Sequence, residues 1–500
     1  MSNEQAMHDL VISGGTVVSA SGESELDVAI DGGKITGLYP PGTAGEAKRV
    51  IDASGCLVTP GGIDPHVHYA MNFQDLLVTE GPEHSDAAVH GGNTTVVDFA
   101  IQDPPTGPMD TIAGRKAEFE GNMALDYGLH VILTGEFSFE DIEQVGDVIA
   151  SGVPTVKTMM TYGWMSDDGR RYGLMCEVAK HGGMSVVHAE DDAIANWLTA
   201  KYVREGKTHG AHICEVRGPI VEEAAVRRAL FLAERSGSAL YILHMAAGSG
   251  VQALAEARAK GLPMYGETLS AYLSFTQDDL WDESPIEFDG EVHNARGLLY
   301  NNYPTPKFRP DRDAVWEAIA DDRLQAVGTD HALVKLRDRF HVMGTTVDAM
   351  QAGQAAAELR IPVLYSEGVA KGRFSASRWV ELIATNPARL LGLQTKGELR
   401  EGADADVMIF DPNKQWTVRW QDLHMSEPYS CWDGWELTGK VRSTILRGNV
   451  LVEDGNFVGS KTSGRFVERK LDPRVTQTPL DTEFTRTSLT GAGAEVAAAS

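Results

Sequence analysis

The sequence predicts an α/β protein that consists of a (β/α)8 TIM-like barrel and a small β-sandwich domain formed by both chain ends. Eight short apolar segments alternate with helical segments between residues 59 and 394, a pattern that implies parallel βα units. Segments rich in turn residues and β-branched residues flank this region on both sides. A chain of 500 residues is long enough for one large domain and one small domain.

Each predicted barrel strand is a short, largely apolar run. In chain order the runs are CLVTPGGIDPHVH (56–68), NTTVVDFA (93–100), LHVILTGE (129–136), PTVKTMM (154–160), SVVHAED (185–191), LYILHM (240–245), PMYGETL (263–269) and LQAVGTDHA (324–332). Apolar residues recur at helical spacing in intervening segments such as GPIVEEAAVRRALFLAERSG (218–237). Eight such units predict a closed barrel, whose active site lies at the carboxyl ends of the strands.

The two chain ends are predicted to form one β-sandwich domain. Short strands separated by Gly-Gly and Ser-Gly turns occur in LVISGGTVVSASG (10–22) and again in STILRGNVLVEDGNFVG (443–459). We therefore expect a composite sandwich from residues 1–58 and 395–468, with the barrel spanning 59–394. Residues 469–500 are poor in large apolar side chains, which predicts an extended tail.

The composition is that of a soluble globular protein, with 42% hydrophobic and 23% charged residues. There is no apolar run of ~20 residues, as a membrane span requires, and the amino terminus lacks the features of a signal peptide. The four cysteines are far apart, which favours a reducing compartment and a cytoplasmic location. The formal net charge of -27 argues against binding to nucleic acids or anionic membranes.

Ionisable residues follow or end several of the predicted barrel strands. They are His66, His68, Lys157, His188, His244 and Asp330. Because the carboxyl ends of parallel barrel strands meet at one mouth, these side chains should lie close together. Each of these residues by itself could be a core or rim residue whose polar atoms are hydrogen-bonded. Four histidines and an aspartate together, however, indicate a metal site.

Lys157 allows several interpretations. An ammonium group cannot bind a metal, so the lysine could simply pair with an acid or extend its side chain outward. Alternatively, a desolvated lysine loses its proton and reacts with carbon dioxide. The resulting carbamate has two oxygens and a negative charge, and it could bridge two cations.

The ordered set of motifs resembles the amidohydrolase superfamily, and within it the cyclic amidohydrolases, dihydropyrimidinase and hydantoinase. The motifs that carry the resemblance include GGIDPHVH, VKTMMTY, VHAED, LHMAAG and GTDHA, together with YSCWDGWELTGKV near the carboxyl end. The resemblance extends from about residue 8 to about residue 465. It implies an enzyme that hydrolyses C–N bonds of cyclic amides, with a barrel beside a composite sandwich.

The resemblance also implies a role for each site residue. His66 and His68 would bind the more buried of two divalent ions, and His188 and His244 the more exposed one. Lys157, carboxylated on its side-chain nitrogen, would bridge the ions, which are expected to be zinc, with manganese or cobalt as alternatives. Asp330 would bind the buried ion and handle a proton. Members of this family are usually homotetramers or dimers.

In the implied mechanism, a hydroxide held between two cations attacks the carbonyl carbon of a cyclic amide, ureide or imide and opens the ring. Tyr162, five residues after Lys157, matches the family tyrosine that donates a hydrogen bond to the oxyanion. Asp330 would accept the hydroxide proton and pass it to the leaving nitrogen. The mechanism requires no organic cofactor.

Two loops depart from the hydantoinase pattern. The segment LLYNNYPTPKFRP (298–310) lacks the usual Ser-Pro-Pro-type sequence, and RFHVMGTTVDAMQAGQAAAEL (339–359) lacks the usual Asn-Gly loop. Phe73, Leu76 and Trp164 would provide an apolar wall for a substrate substituent. The alternative is that these side chains only pack their loops against the barrel. We therefore expect weak activity on dihydrouracil and better activity on bulkier or aromatic-substituted rings.

Two other functions compete with this interpretation. Allantoinase or dihydroorotase chemistry would require an arginine at the mouth, for which Arg170, Arg171 and Arg309 are candidates. A non-catalytic relative of dihydropyrimidinase would keep the fold and lose ligands. The complete ligand set favours catalysis.

Overall fold

The computed structural model describes residues 7–73, 77–288, 290–340, 347 and 353–477. In this part of the chain the strands are β1 (Leu10–Ser13), β2 (Thr16–Ser19), β3 (Gly22–Glu25), β4 (Asp27–Asp31), β5 (Lys34–Tyr39), β6 (Val50–Asp52), β7 (Leu57–Pro60), β8 (Gly62–Asp64), β9 (Asn72–Phe73), β10 (Leu77–Val78), β11 (Asn93–Ile101), β12 (Asp126–Ile132), β13 (Thr155–Met159), β14 (Met184–His188), β15 (Ala239–Ile242), β16 (Met264–Leu269), β17 (Pro285–Phe288), β18 (Glu291–Asn294), β19 (Ala326–Gly328), β20 (Val407–Thr417), β21 (Glu436–Leu446), β22 (Asn449–Glu453) and β23 (Asn456–Phe457).

The α-helices within the same ranges are α1 (Asp86–His90), α2 (Pro108–Phe119), α3 (Phe139–Glu143), α4 (Val145–Ala150), α5 (Asp168–Lys180), α6 (Asp192–Arg204), α7 (Ile213–Val216), α8 (Pro219–Ser236), α9 (Gly248–Arg258), α10 (Ser270–Ser274), α11 (Arg309–Ala320), α12 (Leu336–Phe340), α13 (Arg360–Leu364), α14 (Ala376–Val380), α15 (Asn386–Leu391) and α16 (Pro473–Gln477). Helix α8 illustrates why these segments are helical. Proline begins it, and Gly237 ends it in the left-handed conformation with φ 74°.

Eight parallel strands form the central sheet, in the order β19-β16-β15-β14-β13-β12-β11-β8. The two edges meet just beyond the strands, where Val67 bridges His331 in parallel register and His68 N donates to His331 O at 2.8 Å. The sheet is therefore a closed barrel. Each of the eight predicted strand segments contributes one strand to the barrel, so the predicted (β/α)8 fold is confirmed.

The first predicted segment is divided at Gly61. Residues 57–60 form β7 in a different sheet, and the first barrel strand begins at Gly62. A Cβ atom at Gly61 would lie 2.3 Å from the side chain of Thr94, so only glycine permits the chain to cross there. His66 and His68 consequently follow the short strand β8 instead of lying within it.

Two further sheets share one apolar core. The first has the order β5-β4-β1-β6, and the second has the order β23-β22-β21-β20-β7-β2-β3. Buried side chains from both chain ends fill the space between them, including Ile12, Val28, Val58, Val407 and Ile445. We propose that these sheets are the predicted composite sandwich, with the chain passing into the barrel at Gly61.

A buried charge cluster connects the barrel to the β-rich region. The ammonium of Lys396 lies 2.9 Å from Asp126 on β12, 3.4 Å from Asp404 and 2.5 Å from Asp406. Burial would lower the pKa of Lys396, but the three carboxylates raise the pKa above its usual range. The ion pair between Lys396 and Asp126 joins segments that are 270 residues apart in the sequence.

The beginning of the predicted tail packs against the barrel. The guanidinium of Arg469 donates to Thr155 Oγ1 at 2.7 Å, and Tyr265 Oη donates to the carbonyl of Val475 at 2.8 Å. Both Arg469 and Val475 are buried. The first part of the predicted tail, up to Gln477, is therefore folded against the barrel, and residues 478–500 lie outside the described residues.

The four cysteines are free thiols. Among the described residues, no helix combines the length and apolar character needed to cross a bilayer.

Candidate metal centre

The structure brings the six predicted ligand residues to one mouth of the barrel. His66 and His68 follow β8, Asp330 follows β19, and His244 follows β15. Lys157 lies within β13, and His188 is the last residue of β14. All of them are buried, although they come from five different strands. The five other than Lys157 sit at or just beyond a carboxyl end, because the apolar run before each of them forms a parallel strand.

Three ligand atoms converge at the first subsite. His66 Nε2 lies 3.1 Å from His68 Nε2 and 3.0 Å from Asp330 Oδ1, and His68 Nε2 lies 3.3 Å from the same oxygen. One ligand atom each from His66, His244 and Asp330 also lies within 4.8 Å of the others. Such a donor set of imidazole nitrogens and a carboxylate oxygen suits a divalent transition metal.

His188 and His244 form the second part of the site. Their rings meet edge to face with centroids 4.5 Å apart, and the His244 ring is 5.3 Å from the His66 ring. His244 thus lies between the first subsite and His188. His188 is therefore continuous with the cluster of the first subsite.

Lys157 projects its ammonium into the same buried space. Its Nζ lies 4.2 Å from the centre of the Phe99 ring, and no carboxylate of the described residues lies within 4.0 Å of it. Burial lowers the pKa of Lys157 to about 8, even though the more distant carboxylates of Asp330 and Glu267 oppose this shift. The acid-paired interpretation of this lysine therefore has no support among the described residues.

Glu267 is a fully buried carboxylate that the sequence analysis did not select. Its Oε1 accepts a hydrogen bond from His66 Nδ1 at 2.7 Å, and its Oε2 accepts one from Tyr241 Oη at 2.9 Å. A carboxylate can only accept hydrogen bonds, so Nδ1 of His66 carries the proton of this hydrogen bond. Nε2 of His66 is then the nitrogen that faces Asp330 and His68. An acidic residue inside the apolar run PMYGETL was the available signal in the sequence.

The electrostatics of the first subsite require a positive charge. Burial lowers the pKa of His66, but the carboxylates of Asp330 and Glu267 outweigh burial and raise that pKa to about 9. Burial lowers the pKa of His68 to about 3, so this ring offers a neutral nitrogen. The residues therefore fit a metal ion, which can replace the second proton of His66 and satisfy all three atoms.

Glu190 is a second residue that the sequence analysis missed, although it lies in the motif VHAED. Its Oε2 accepts hydrogen bonds from His188 Nε2 at 2.9 Å, from Tyr162 Oη at 3.1 Å and from Arg217 at 3.3 Å. Burial would raise the pKa of Glu190, but Arg217 and His188 hold it at about 2. The carboxylate therefore fixes both a histidine predicted to bind metal and the tyrosine predicted to stabilise the oxyanion.

Backbone strain marks three of the site residues. Tyr162, His244 and Asp330 have φ values of 62°, 38° and 50°, in a region that residues other than glycine seldom adopt. Such strain persists only where the surroundings impose it, and it is concentrated at functional sites. Asp330 is also held by Asn302, whose Nδ2 donates to Oδ2 at 2.9 Å. Asn302 lies in the loop LLYNNYPTPKFRP that departs from the hydantoinase pattern.

The predicted substrate wall is only partly described. Trp164 is half-buried and lines a cavity that Phe99 and Met71 also line. Phe73 belongs to the short strand β9, but its side chain lies outside the described part of the structure, as does Leu76 altogether. Most of the loop from residue 341 to 352 is likewise outside the described residues.

The candidate arginines for a charged substrate are engaged elsewhere. Arg170 and Arg171 pair with the nearby Asp167 and Asp168, and Arg309 lies 3.3 Å from Asp278 on the surface. Arg217 lies beside the site, with its guanidinium 4.5 Å from the centre of the Tyr162 ring. Arg217 also pairs with Glu190.

A closed parallel barrel with converging histidine and carboxylate ligands at its mouth defines the architecture of a metal-dependent hydrolase. Residues 57–451 match the sequence profile of the amidohydrolase family. The chain belongs to this family, and within it to the cyclic amidohydrolases.

The similar proteins agree with this placement. The chain is 34% identical to the D-hydantoinase of Rhizobium radiobacter over 463 residues, which cover 91% of this chain and 98% of that protein. It is 29% identical to the D-phenylhydantoinase of Escherichia coli over 469 residues, which cover 91% and 97% of the two chains. The crystal structure of dihydropyrimidinase from Brevibacillus agri superimposes with a TM-score of 0.86 and 32% identity, covering 93% of this chain and 99% of the other.

Proposed function

We propose that the protein is a binuclear-metal hydrolase that opens the ring of a cyclic amide, ureide or imide. The observation that carries the proposal is the convergence of His66, His68 and Asp330 within 3.3 Å of one another beside the buried Lys157, which has no carboxylate partner among the described residues. Family membership supports the reaction class, since the relatives are hydantoinases and dihydropyrimidinases. The alternative is an allantoinase- or dihydroorotase-like hydrolase.

The ligand assignment is part of this proposal. His66, His68 and Asp330 would hold the more buried ion, His188 and His244 would hold the other, and carboxylated Lys157 would serve as a ligand to both. Two divalent ions at this place supply Lewis acidity and lower the pKa of bound water, and zinc is the expected metal, with manganese or cobalt as alternatives. Burial lowers the pKa of Lys157 to about 8, which increases the fraction of neutral amine that carbamate formation needs.

The protein's own groups orient the substrate and move the proton. Tyr162 keeps its phenolic proton, because burial raises the pKa of Tyr162 well above its usual range, and the hydroxyl would turn from Glu190 to donate to a carbonyl oxygen that gains charge. Asp330 lies where it can accept a proton and deliver it to the leaving nitrogen, and Asn302 holds its second oxygen. Glu267 and Glu190 keep His66 and His188 in the orientations that the site needs.

The substrate is proposed to carry a bulky substituent, aromatic ones included, that lies against Trp164. Half-burial of Trp164 beside a cavity and the similarity to a D-phenylhydantoinase support this choice. Weak activity is expected on dihydrouracil and unsubstituted hydantoin, because the two loops that differ from the hydantoinase pattern would leave ring-binding groups unmatched. The enzyme is further proposed to be a cytoplasmic homotetramer or dimer.

The proposal is tested on purified, metal-loaded protein. It requires about two divalent ions per chain, loss of activity on chelation and recovery with zinc, cobalt or manganese. A panel of cyclic ureides and imides, including allantoin and dihydroorotate, then compares kcat/KM. Full activity in metal-free protein, or a metal-loaded protein that opens no cyclic amide, contradicts the proposal. The second outcome would point instead to a non-catalytic relative.

The Lys157 bridge has its own test. Lys157→Ala should lose both bound metal and turnover, and a short carboxylic acid in bicarbonate-free buffer should restore part of each. Loading the wild-type protein with ¹³C-labelled bicarbonate should produce a carbamate signal in the NMR spectrum. A lysine that remains a free ammonium with both metals bound would exclude the bridge.

A further inference from the structure

A second group of candidate metal ligands lies outside the barrel mouth. Among the described residues, one ligand atom each from His90, Glu358 and His424 lies within 4.8 Å of the other two. His90 ends helix α1, Glu358 precedes helix α13, and His424 lies between strands β20 and β21. Three segments that are distant in the sequence therefore bring two imidazoles and a carboxylate together, and these are donor types that zinc and similar divalent ions bind.

The imidazole rings of His90 and His424 lie face to face. Their centroids are 3.3 Å apart, and the ring planes differ by 5°. A face-to-face sandwich is not the arrangement that aromatic rings prefer on their own. Two nitrogen ligands of one tetrahedral zinc ion are about 3.4 Å apart, since each Zn–N bond is about 2.0–2.1 Å long. The ring spacing therefore suits two ligands of a single ion, and rotation about the soft χ2 torsion of each histidine turns both lone pairs towards it.

His90 has a ring nitrogen that is available to a metal. The residue is buried, and its Nε2 has no hydrogen-bond partner among the described residues. Burial lowers the pKa of His90 to about 3, so the ring is neutral at physiological pH and keeps a lone pair. His424, which stacks on this ring, is exposed and gives an ion access from solvent. An ion can therefore bind His90 without first removing a charge from the ring.

Glu358 supplies the negative charge of the group. Its Oε1 accepts a hydrogen bond from His424 Nδ1 at 3.0 Å, and its Oε2 accepts one from the backbone N–H of His424 at 2.8 Å. The first of these hydrogen bonds raises the pKa of His424. A divalent ion can replace the proton between Nδ1 and Oε1. Asp86, one helical turn before His90, contributes a buried Oδ1 that has no hydrogen-bond partner among the described residues.

Close packing fixes the backbone around the group. Asn93 Nδ2 donates to Ala88 O and to Ala357 O, both at 3.1 Å, and so ties α1 to the segment that contains Glu358. A Cβ atom at Gly91 would lie 2.7 Å from Glu358 Cα, so glycine permits this close approach. The backbone that carries His90 and Glu358 is thus held in place before an ion binds, which lowers the cost of ordering the ligands.

The cations around the group are engaged elsewhere. Lys440 and Lys461 lie near enough for their charges to lower the pKa of His90, in addition to the larger effect of burial. Lys461 Nζ pairs with Asp86 Oδ2 at 2.8 Å, and Lys440 Nζ lies 4.7 Å from the centre of the Trp416 ring. In the described part of the chain, no lysine or arginine lies within 4.0 Å of the Glu358 carboxylate. The negative charge of Glu358 is therefore left for His424 and an ion.

We propose that His90, Glu358 and His424 bind a further divalent transition-metal ion, zinc in first place, at a site separate from the barrel mouth. Two imidazoles and one carboxylate provide three ligands, and water takes the remaining position on the exposed side of His424. The ion joins α1 of the barrel to the loop between β20 and β21, and so it stabilises the contact of the barrel with the β-rich region. This inference does not depend on the ring-opening function.

The test counts the zinc bound to wild-type and variant protein at one free zinc concentration, which a chelator sets. His90→Gln and His424→Gln should each bind about one ion per chain fewer than the wild type, since each lacks a ligand of this site. His84→Gln removes an exposed histidine just before α1 and should bind as much zinc as the wild type. His424 is exposed, so its substitution leaves the packed core intact and carries the test if His90→Gln fails to fold.

A variant of the barrel mouth separates this site from the proposed function. In His66→Gln/His68→Gln, zinc should still raise the melting temperature, and the addition of His424→Gln should reduce that rise. Anomalous X-ray diffraction at the zinc edge should place an ion between His90, Glu358 and His424. A mouth that binds no metal, or a protein that opens no ring, refutes the proposed function alone. Equal zinc counts in the wild type and His424→Gln, or no anomalous peak at saturating zinc, overturn this site.

Discussion

Replacing Glu267 by glutamine should weaken metal binding about tenfold while leaving the fold intact. Glutamine is nearly isosteric, so its amide oxygen can still accept from His66 Nδ1, and its amide nitrogen can donate to Tyr241 Oη. The substitution removes the negative charge of the carboxylate that accepts from His66 Nδ1. A hydrogen bond to a charged acceptor contributes roughly 1–1.5 kcal/mol more than one to a neutral acceptor, which corresponds to about a tenfold change in affinity.

The assay is a competition for zinc between the protein and a chromophoric chelator. It is combined with kcat/KM at saturating metal and with thermal unfolding of the metal-free protein. Glu267→Leu leaves His66 Nδ1 without a partner and should lower metal affinity further, up to roughly 100-fold. The matched control is Tyr241→Phe, which removes the hydrogen bond on the opposite oxygen and does not touch His66.

The role of Glu267 is judged by comparing the metal affinities of Glu267→Gln and Tyr241→Phe. Tyr241→Phe should cost about 1 kcal/mol of stability and leave metal affinity nearly unchanged. If Glu267→Gln retains zinc as tightly as the wild type, the carboxylate does not support the ligand. If both variants weaken binding equally, a general loosening of the barrel explains the effect and the specific role of Glu267 is refuted.

Three further predictions concern other parts of the molecule. Tyr162→Phe should lower kcat by roughly 10²–10³ without changing metal content, and steady-state kinetics with metal analysis tests this. Lys396→Met removes the buried cation from three carboxylates and leaves Asp406 without an ion pair, which should cost about 3–5 kcal/mol in chemical unfolding, whereas Lys34→Met, which removes the half-exposed partner of Asp404, should cost under about 1 kcal/mol. Burial lowers the pKa of His90 to about 3, below its unfolded value of 6.5, so the stability it contributes is complete above pH 6.5 and is lost as the pH falls towards 3. At pH 5 the loss should reach about 2 kcal/mol, and His90→Gln should remove that pH dependence while His84→Gln at an exposed site should not.

The identity of the barrel strands and the convergence of the candidate ligand residues could be predicted from the sequence. Each barrel strand is a short apolar run, and a strand depends mainly on such local patterning. His188 and Asp330 end or follow runs of this kind, and a parallel barrel brings all such ends together. The first strand was less predictable, because the break at Gly61 arises from the close approach of Thr94, a contact that is absent from the local sequence.

The partners of the ligands could not be predicted in the same way. His66 and Glu267 are 201 residues apart, and they meet because their strands face one mouth. Tyr162 and Glu190 are 28 residues apart on neighbouring barrel segments, and neither motif shows that the hydroxyl donates to that carboxylate. Burial decides the protonation of such groups, and burial is a property of the assembled barrel.

By itself the sequence determined the class of fold, the residues at the strand ends and the resemblance to cyclic amidohydrolases, because these depend on local apolar patterns and on residue type. The tertiary structure alone decided which nitrogen of His66 faces Asp330, which carboxylates support the ligands and where the cavity beside Phe99 lies. The physical reason is that hydrogen bonding and desolvation act between atoms a few ångströms apart, and closure of the barrel brings these atoms together from distant parts of the chain.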